Sequence, residues 1–221
     1  MFIKFGSEEN IIHLYEEGLI YMNSKEYFRK VEDKELRGDA FEGIKSIKNS
    51  GPGKFRIDSI NHTFNYMNLQ IKQPWGKVYG NIYSLFCISP ETTPKLFEFK
   101  MDERVINFGS HCLLIPDSDE FINLASEKVK EEGHNLDFGL VKYFDKSKYS
   151  GEISPFDKPK EFLYQKEYRF YLERIGSSPI SFKVGSLKEK SKIMRTEDAL
   201  YLTFDRPKPS EMEDIDKNYL Y

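Results

Sequence analysis

The sequence predicts an α+β fold: a single strand-rich domain with early helices and a central, mostly antiparallel sheet. Three observations carry this. A chain of 221 residues suits one large domain better than two small ones. Its 18 Phe and 14 Tyr favour sheet. The patterns run from a helical opening through many strands to one or two later helices, without the strand–helix alternation of a doubly wound sheet. No G-x-G-x-x-G follows a strand and no P-loop is present, so dinucleotide-fold and kinase-type phosphate chemistry have no motif to stand on.

The elements follow in order. "FIKF" (2–5) alternates as a short strand, and Ser7 caps a helix with Ile11, Leu14 and Tyr15 at helical spacing, ended by Gly18. "LIYMN" (19–23) reads as a strand. Ser24 caps a second helix whose Tyr27, Phe28 and Val31 should face inward. After a polar loop (34–43), residues 44–89 form a run of strands with a turn at "NSGPG". "GSHCLLIP" (109–116) is another strand, and Asp117 or Ser118 caps a helix that Gly133 ends. Strands at 137–144, 164–172 and 178–185 complete a domain over 1–205, and the charged tail, 206–221, should pack loosely.

The net charge of −3 gives no global reason to expect DNA or membrane binding. Cys87 and Cys112 sit in apolar runs, as buried thiols of a reducing compartment do, and no His or Cys stands at zinc-ligand spacing. The start lacks the basic and apolar regions of a signal peptide, and no run approaches the ~20 apolar residues of a membrane span, so a cytoplasmic protein with no membrane partner is expected.

Three clusters could carry chemistry. On the strand "YQKEYRFYL", Tyr168, Phe170 and Leu172 share the face expected to enter the core. Gln165, Glu167, Arg169 and Tyr171 share the other, with Glu167 roughly 6–7 Å from each neighbour along the strand. Alternation alone equally fits a solvated face with cross-strand pairs. In "RGDAFEG" (37–43), Phe41 is wedged between Asp39 and Glu42 and should anchor the loop, which equally fits a surface turn. In "IYSLFCISP", Ser84 and Ser89 flank an apolar run, as at the end of a buried middle strand opening into a cleft. His13 and His111 read more readily as structural than as catalytic, and His62 and His134 sit in polar turns.

Residues 2–43 resemble the start of an uncharacterised bacterial family found near phage-defence genes: strand, short helix, a "G-L-hydrophobic-Y/F-x-N" strand, then a loop for which "GDAFEG" stands in without its proline. "FLYQKEYR" (162–169) resembles that family's late "W-x-Y-E-K-E-Y/W-R" element, with Phe162 for Trp and Gln165 for the first Glu, and the motifs fall in the same order along most of the chain. The Gln-x-Glu pattern is also similar to the signature of ADP-ribosyltransferases.

That second resemblance implies an ADP-ribosyltransferase-like fold and NAD as the consumed substrate. It implies Glu167 as the catalytic carboxylate that stabilises an oxocarbenium-like centre, Gln165 on the acceptor side and Ser84 as the middle-strand serine. Lys4 and His13 would stand where such enzymes use an early Arg or His, with Asp39, Glu42 and Arg169 completing the nucleotide site. No early Arg is present. A nucleic-acid or protein acceptor and an antitoxin or defence partner come with the implied role of defence toxin. The alternatives are a non-catalytic sensor module binding a nucleotide or phage product in the same cleft, and a nuclease in which Asp39, Glu42 and Glu167 gather a divalent ion.

Overall fold

The structure is a computed structural model that describes residues 1–30, 41–77 and 79–206. Val31, Asp39 and all but the start of the expected tail lie outside the described residues. Strand β1 (Phe2–Gly6) leads into helix α1 (Glu8–Glu17), then β2 (Leu19–Ser24) and α2 (Lys25–Lys30). Four strands follow: β3 (Ile44–Ser50), β4 (Gly53–Ile57), β5 (His62–Tyr66) and β6 (Leu69–Pro74). Then come β7 (Asn81–Cys87), β8 (His111–Ile115) and helix α3 (Ser118–Glu131). The remainder comprises β9 (Leu136–Leu140), β10 (Lys142–Phe144), β11 (Gly151–Glu152), β12 (Asp157–Pro159), β13 (Glu167–Leu172), β14 (Ile180–Lys183), β15 (Lys192–Arg195) and α4 (Thr196–Ala199). This is the strand-rich α+β architecture the sequence predicts, and among the described residues only the short pair β10–β12 is parallel.

Local chemistry explains the helix ends. Ser7 Oγ accepts from the Asn10 amide, and Gly18 adopts φ +65° and returns its N–H to the carbonyls of His13 and Leu14. The φ alone favours glycine there, and a side chain would also strike the Gly185 carbonyl. At α3 the cap is Asp117, whose Oδ1 accepts from the Glu120 amide at 2.8 Å.

The main sheet is organised around β7. Strand β13 covers one whole edge, from Glu167 opposite Phe86 to Leu172 opposite Asn81. The other edge is shared. β1 pairs with it at Phe86 and Cys87, and β2 pairs only at Asn81 and Ile82. The two strands therefore fork, leaving Tyr83–Leu85 facing the gap. β8 and β15 extend the β1 branch, β14 extends the β2 branch, and β9 lies outside β13.

Each face of the sheet carries its own core. On one, Tyr83, Leu85, Phe170 and Leu172 meet Leu14 of α1 and Phe121, Ala125 and Val129 of α3. On the other, Ile3, Phe86 and Cys112 meet Val105 and Ala199. The alternation of side chains along "EYRFYL" sends Phe170 and Leu172 into the first core, with Tyr168 packed half-buried against it, and turns Glu167, Arg169 and Tyr171 to the opposite face, where Glu167 and Arg169 are buried too.

Several expectations need correction. The strand expected from 164 begins at Glu167, because residues 160–165 form a 3₁₀ turn and Lys166 adopts φ +42°. The strand expected over 137–144 breaks at Val141, giving β9 and β10 separate partners. Tyr27 is exposed and Phe28 half-buried, so neither enters the core. Strand β15 was not expected: "KIMR" is short and its ends are charged, but β8 offers it a free edge.

Candidate functional site

The fork between β1 and β2 opens into a cleft of about 350 Å³ floored by β7. Its walls come from β1, the first turns of α1, β2, α2 and the 3₁₀ turn that ends at Phe108, and they include Phe5, Tyr21, Tyr27 and Phe28. Tyr27 and Phe28 are drawn out of the core because they line this opening. The floor is polar: Lys4, Ser84, Glu42, Lys158, Gln165, Glu167 and Arg169 all reach it.

Glu167 is the centre of the floor. It is 4% exposed and its carboxylate accepts from three side chains. Ser84, opposite Arg169 in the sheet register, donates its hydroxyl to Oε1. Arg169 donates Nε to the same oxygen at 2.6 Å, and Lys158 donates Nζ to Oε2 at 3.0 Å. The Glu167 amide donates to the Tyr143 hydroxyl at 2.9 Å, which fixes the backbone as well.

Burial opposes ionisation of Glu167, but the charges of Arg169 and Lys158, with the hydrogen bonds from Arg169 and Ser84, outweigh it. They hold the carboxyl well below the usual carboxylate range. Burial, and then the Glu167 charge, pushes the Tyr143 phenol up. Glu167 is thus a fixed anion rather than a proton shuttle.

The neighbours extend this chemistry. Arg169 Nη2 pairs with Glu42 at 2.7 Å, and its Nη1 donates to the Pro155 carbonyl at 2.5 Å. Lys158 Nζ also donates to Gln165 Oε1 at 2.6 Å, so one ammonium bridges Gln165 and Glu167. Lys4 Nζ donates to the Ser84 carbonyl at 2.8 Å and lies 4.0 Å from the Tyr83 ring centre, occupying the gap where β7 lacks a strand partner. Lys4, Lys158 and Arg169 against Glu42 and Glu167 leave the floor with one more cation than anion.

The structure brings together six of the eight residues singled out from the sequence: Lys4, Glu42, Ser84, Gln165, Glu167 and Arg169. Gln165 arrives through the 3₁₀ turn and the Lys166 corner, and not by strand alternation. The solvated-face reading is overturned, since Glu167 and Arg169 are 4% and 2% exposed.

His13 is not brought in. It sits on the outer side of α1 with Nδ1 3.4 Å from Glu17 Oε1. His111 bonds to Ser110 at the surface, and Ser89 closes a turn with Thr92 and Glu91. Asp39 lies outside the described residues. For the nuclease alternative, Arg169 stands between Glu42 and Glu167 and occupies the lone pairs a cation would need. Among the described residues no group of three His, Cys, Asp or Glu is placed to hold a metal ion.

Lys158 was missed. It stands in "FDKPKEF" among other lysines, and its only local signal is Pro159, which favours an extended residue before it. Its role emerges only when the parallel pair β10–β12 carries it beneath β13. Comparison with protein-family models, curated proteins and solved structures found no match.

Proposed function

We propose that the cleft binds NAD and that the protein transfers ADP-ribose from it, with Glu167 as the catalytic carboxylate. The observation that carries this reading is the ionised Glu167 at the cleft floor, held beside Ser84 and sharing Lys158 with Gln165. In such a reaction the bond between ribose C1′ and the nicotinamide nitrogen breaks with its electron pair leaving on nicotinamide. A bond forms from C1′ to an acceptor oxygen or nitrogen, which releases its proton to solvent. Positive charge builds on the sugar in between, and a fixed anion stabilises it. The low carboxyl pKa suits that role, which needs charge and not proton transfer. Lys4 and the aromatic walls would receive the phosphates and rings of a dinucleotide. A cytoplasmic defence toxin, restrained by an antitoxin and acting on a nucleic acid or protein, is the setting we propose.

A second reading has its own support. The three donors that already fill Glu167 leave it little capacity for a substrate hydroxyl, which favours a sensor that binds a nucleotide without turnover.

Nicotinamide release by wild type and by Glu167→Gln, measured where both are folded, separates the two, alongside a thermal-shift titration with NAD. Turnover in wild type that falls about 100-fold or more in the variant supports transfer. A thermal shift without turnover supports the sensor. Neither turnover nor shift removes NAD from the cleft.

A further inference from the structure

We propose that the ribbon from Ile44 to Pro74, tipped by the β4–β5 hairpin, is a docking arm for single-stranded nucleic acid. The proposal stands independently of the chemistry assigned to the cleft. Strand β3 pairs with β6 along one edge and with β11 of the body at Ser46 and Ile47 on the other, and β4 and β5 pair only with each other beyond its end. The body holds β3 as far as Asn49, whose Nδ2 donates to the Lys146 and Tyr149 carbonyls, so the free part of the arm is the hairpin, whose five-residue strands span about 17 Å. Nearly every described residue from 51 to 79 is exposed. An isolated two-stranded hairpin is marginal in water, so an aromatic face with no body beneath it is better explained by a ligand than by folding.

The hairpin register places Tyr66, Phe55, Phe64 and His62 on one face. Phe55 and Phe64 stack at 5.0 Å and 16°, Phe55 and Tyr66 at 6.4 Å and 30°, and His62 meets Phe64 edge-on at 4.5 Å. Phe55 remains 47% exposed and Phe64 38%. This is a strip of ring faces open to further stacking.

Charge selects the occupant. Residues 44–77 carry six Lys or Arg and a single Asp, in a chain whose net charge is −3. Lys48, Lys54 and Lys77 make no ion pair among the described residues, and the Arg56–Asp58 pair is itself solvent-exposed. Two arms packed against each other would bring like charge against like, and the acidic remainder of a second copy offers carboxylates for the cations but no bases for the rings. A single strand answers both features at once, with bases for the rings and phosphates for the cations; a duplex hides its base faces. The ribbon is held by β11 and by bonds from Asn49 and Gln70 to the Lys146 carbonyl, and at its foot the Trp75 amide donates to the Gly43 carbonyl, next to Glu42 of the cleft. A strand held on the arm therefore leads toward the cleft mouth.

The test is fluorescence anisotropy of the full chain with labelled oligomers of about 16 nucleotides, as single-stranded DNA, single-stranded RNA and duplex. Sedimentation with vesicles of phosphatidylserine and phosphatidylcholine runs in parallel. Either single strand should bind at least tenfold tighter than the duplex. Phe55→Ala with Phe64→Ala should weaken binding more than tenfold while the body's melting temperature holds. Lys48→Gln with Lys54→Gln, which leaves the aromatic strip intact, should flatten the dependence of log K on log salt by about 1.4. No single-strand binding at low salt, binding undiminished in both variants, vesicle binding in place of oligomer binding, or a change of oligomeric state in the aromatic variant would each overturn the proposal.

Discussion

Replacing Glu167 by Gln removes one negative charge from a buried chain of alternating sign, Glu42–Arg169–Glu167–Lys158. The amide is nearly isosteric, so packing is preserved, but its NH₂ group cannot accept. It would point two donors at a site where Ser84, Arg169 and Lys158 already donate. Breaking a buried pair by removing one partner costs about 3–5 kcal/mol. Here Arg169 keeps Glu42 and the Pro155 carbonyl, and Lys158 keeps Gln165. The loss should therefore sit near the lower limit, about 3 kcal/mol. For a chain of this size that corresponds to a fall of roughly 6–12 °C in Tm.

The pH dependence sharpens the test. The folded carboxyl of Glu167 titrates well below its unfolded value of about 4.3, so its ionisation favours folding. That contribution is complete above about 4.3 and is lost as pH falls toward the folded pKa. The stability gap between wild type and Glu167→Gln, from urea titrations at each pH, should be constant between about pH 8 and 5.5 and narrow on the way to pH 3. The other carboxylates are common to both proteins and cancel in the difference. A gap below about 1 kcal/mol at neutral pH, or one that stays constant or widens in acid, would refute the assignment of Glu167 as the ionised centre of the cluster.

Three further outcomes follow from the same geometry. Lys158→Met removes one of the two charges that depress the Glu167 pKa, so acid unfolding should begin at a higher pH than in wild type; an unchanged acid midpoint would contradict the bridge from Lys158. Asn81, fully buried, donates its Nδ2 to the carbonyls of Met22 and Ser178, both at 3.0 Å. Asn81→Ala should cost about 2–4 kcal/mol in denaturant titration, and the isosteric Asn81→Asp at least as much, because a carboxylate would face two carbonyl oxygens. Burial pushes the Cys112 thiol up to about 12 and raises that of Cys87, so at pH 8 neither should react with a thiol reagent until the protein is unfolded; stoichiometric labelling of the native chain would show them exposed.

The parts of this molecule that can be read from sequence are those fixed by near neighbours. Ser7 and Gly18 mark both ends of α1 because caps act within one turn. The alternation of 167–172 sorts a core face from a site face because a strand's period is independent of its partners. The fork could not be read. Nothing in "FIKFG" or "LIYMN" says that both will pair with the same edge of β7 at opposite ends, and without that pairing there is no cleft. Lys158 was hidden for a related reason: its partners are set by a crossover that brings β12 beneath β13. His13 misled because a histidine on an early helix carries no mark of which side the cleft will open on. The aromatic arm was legible only as a run of strands, since a hairpin on the body and a hairpin beyond it share one pattern.

The charge cluster argues for function more strongly than for stability. Four ionised side chains, each under a tenth exposed, contribute little net stability, since desolvation offsets most of their mutual attraction and apolar residues of similar volume serve a core as well. The fold already has two apolar cores on either side of the same sheet. The cluster is confined to the one face that opens into the cleft, and it reaches β7 at Ser84, where the strand faces the gap. Arg169 and Lys158 hold Glu167 rigid from two sides, and Lys4 closes the gap from the third. An arrangement that keeps a carboxylate ionised and immobile at the base of a cleft matches what a cationic reaction centre requires and has no comparable use inside a core.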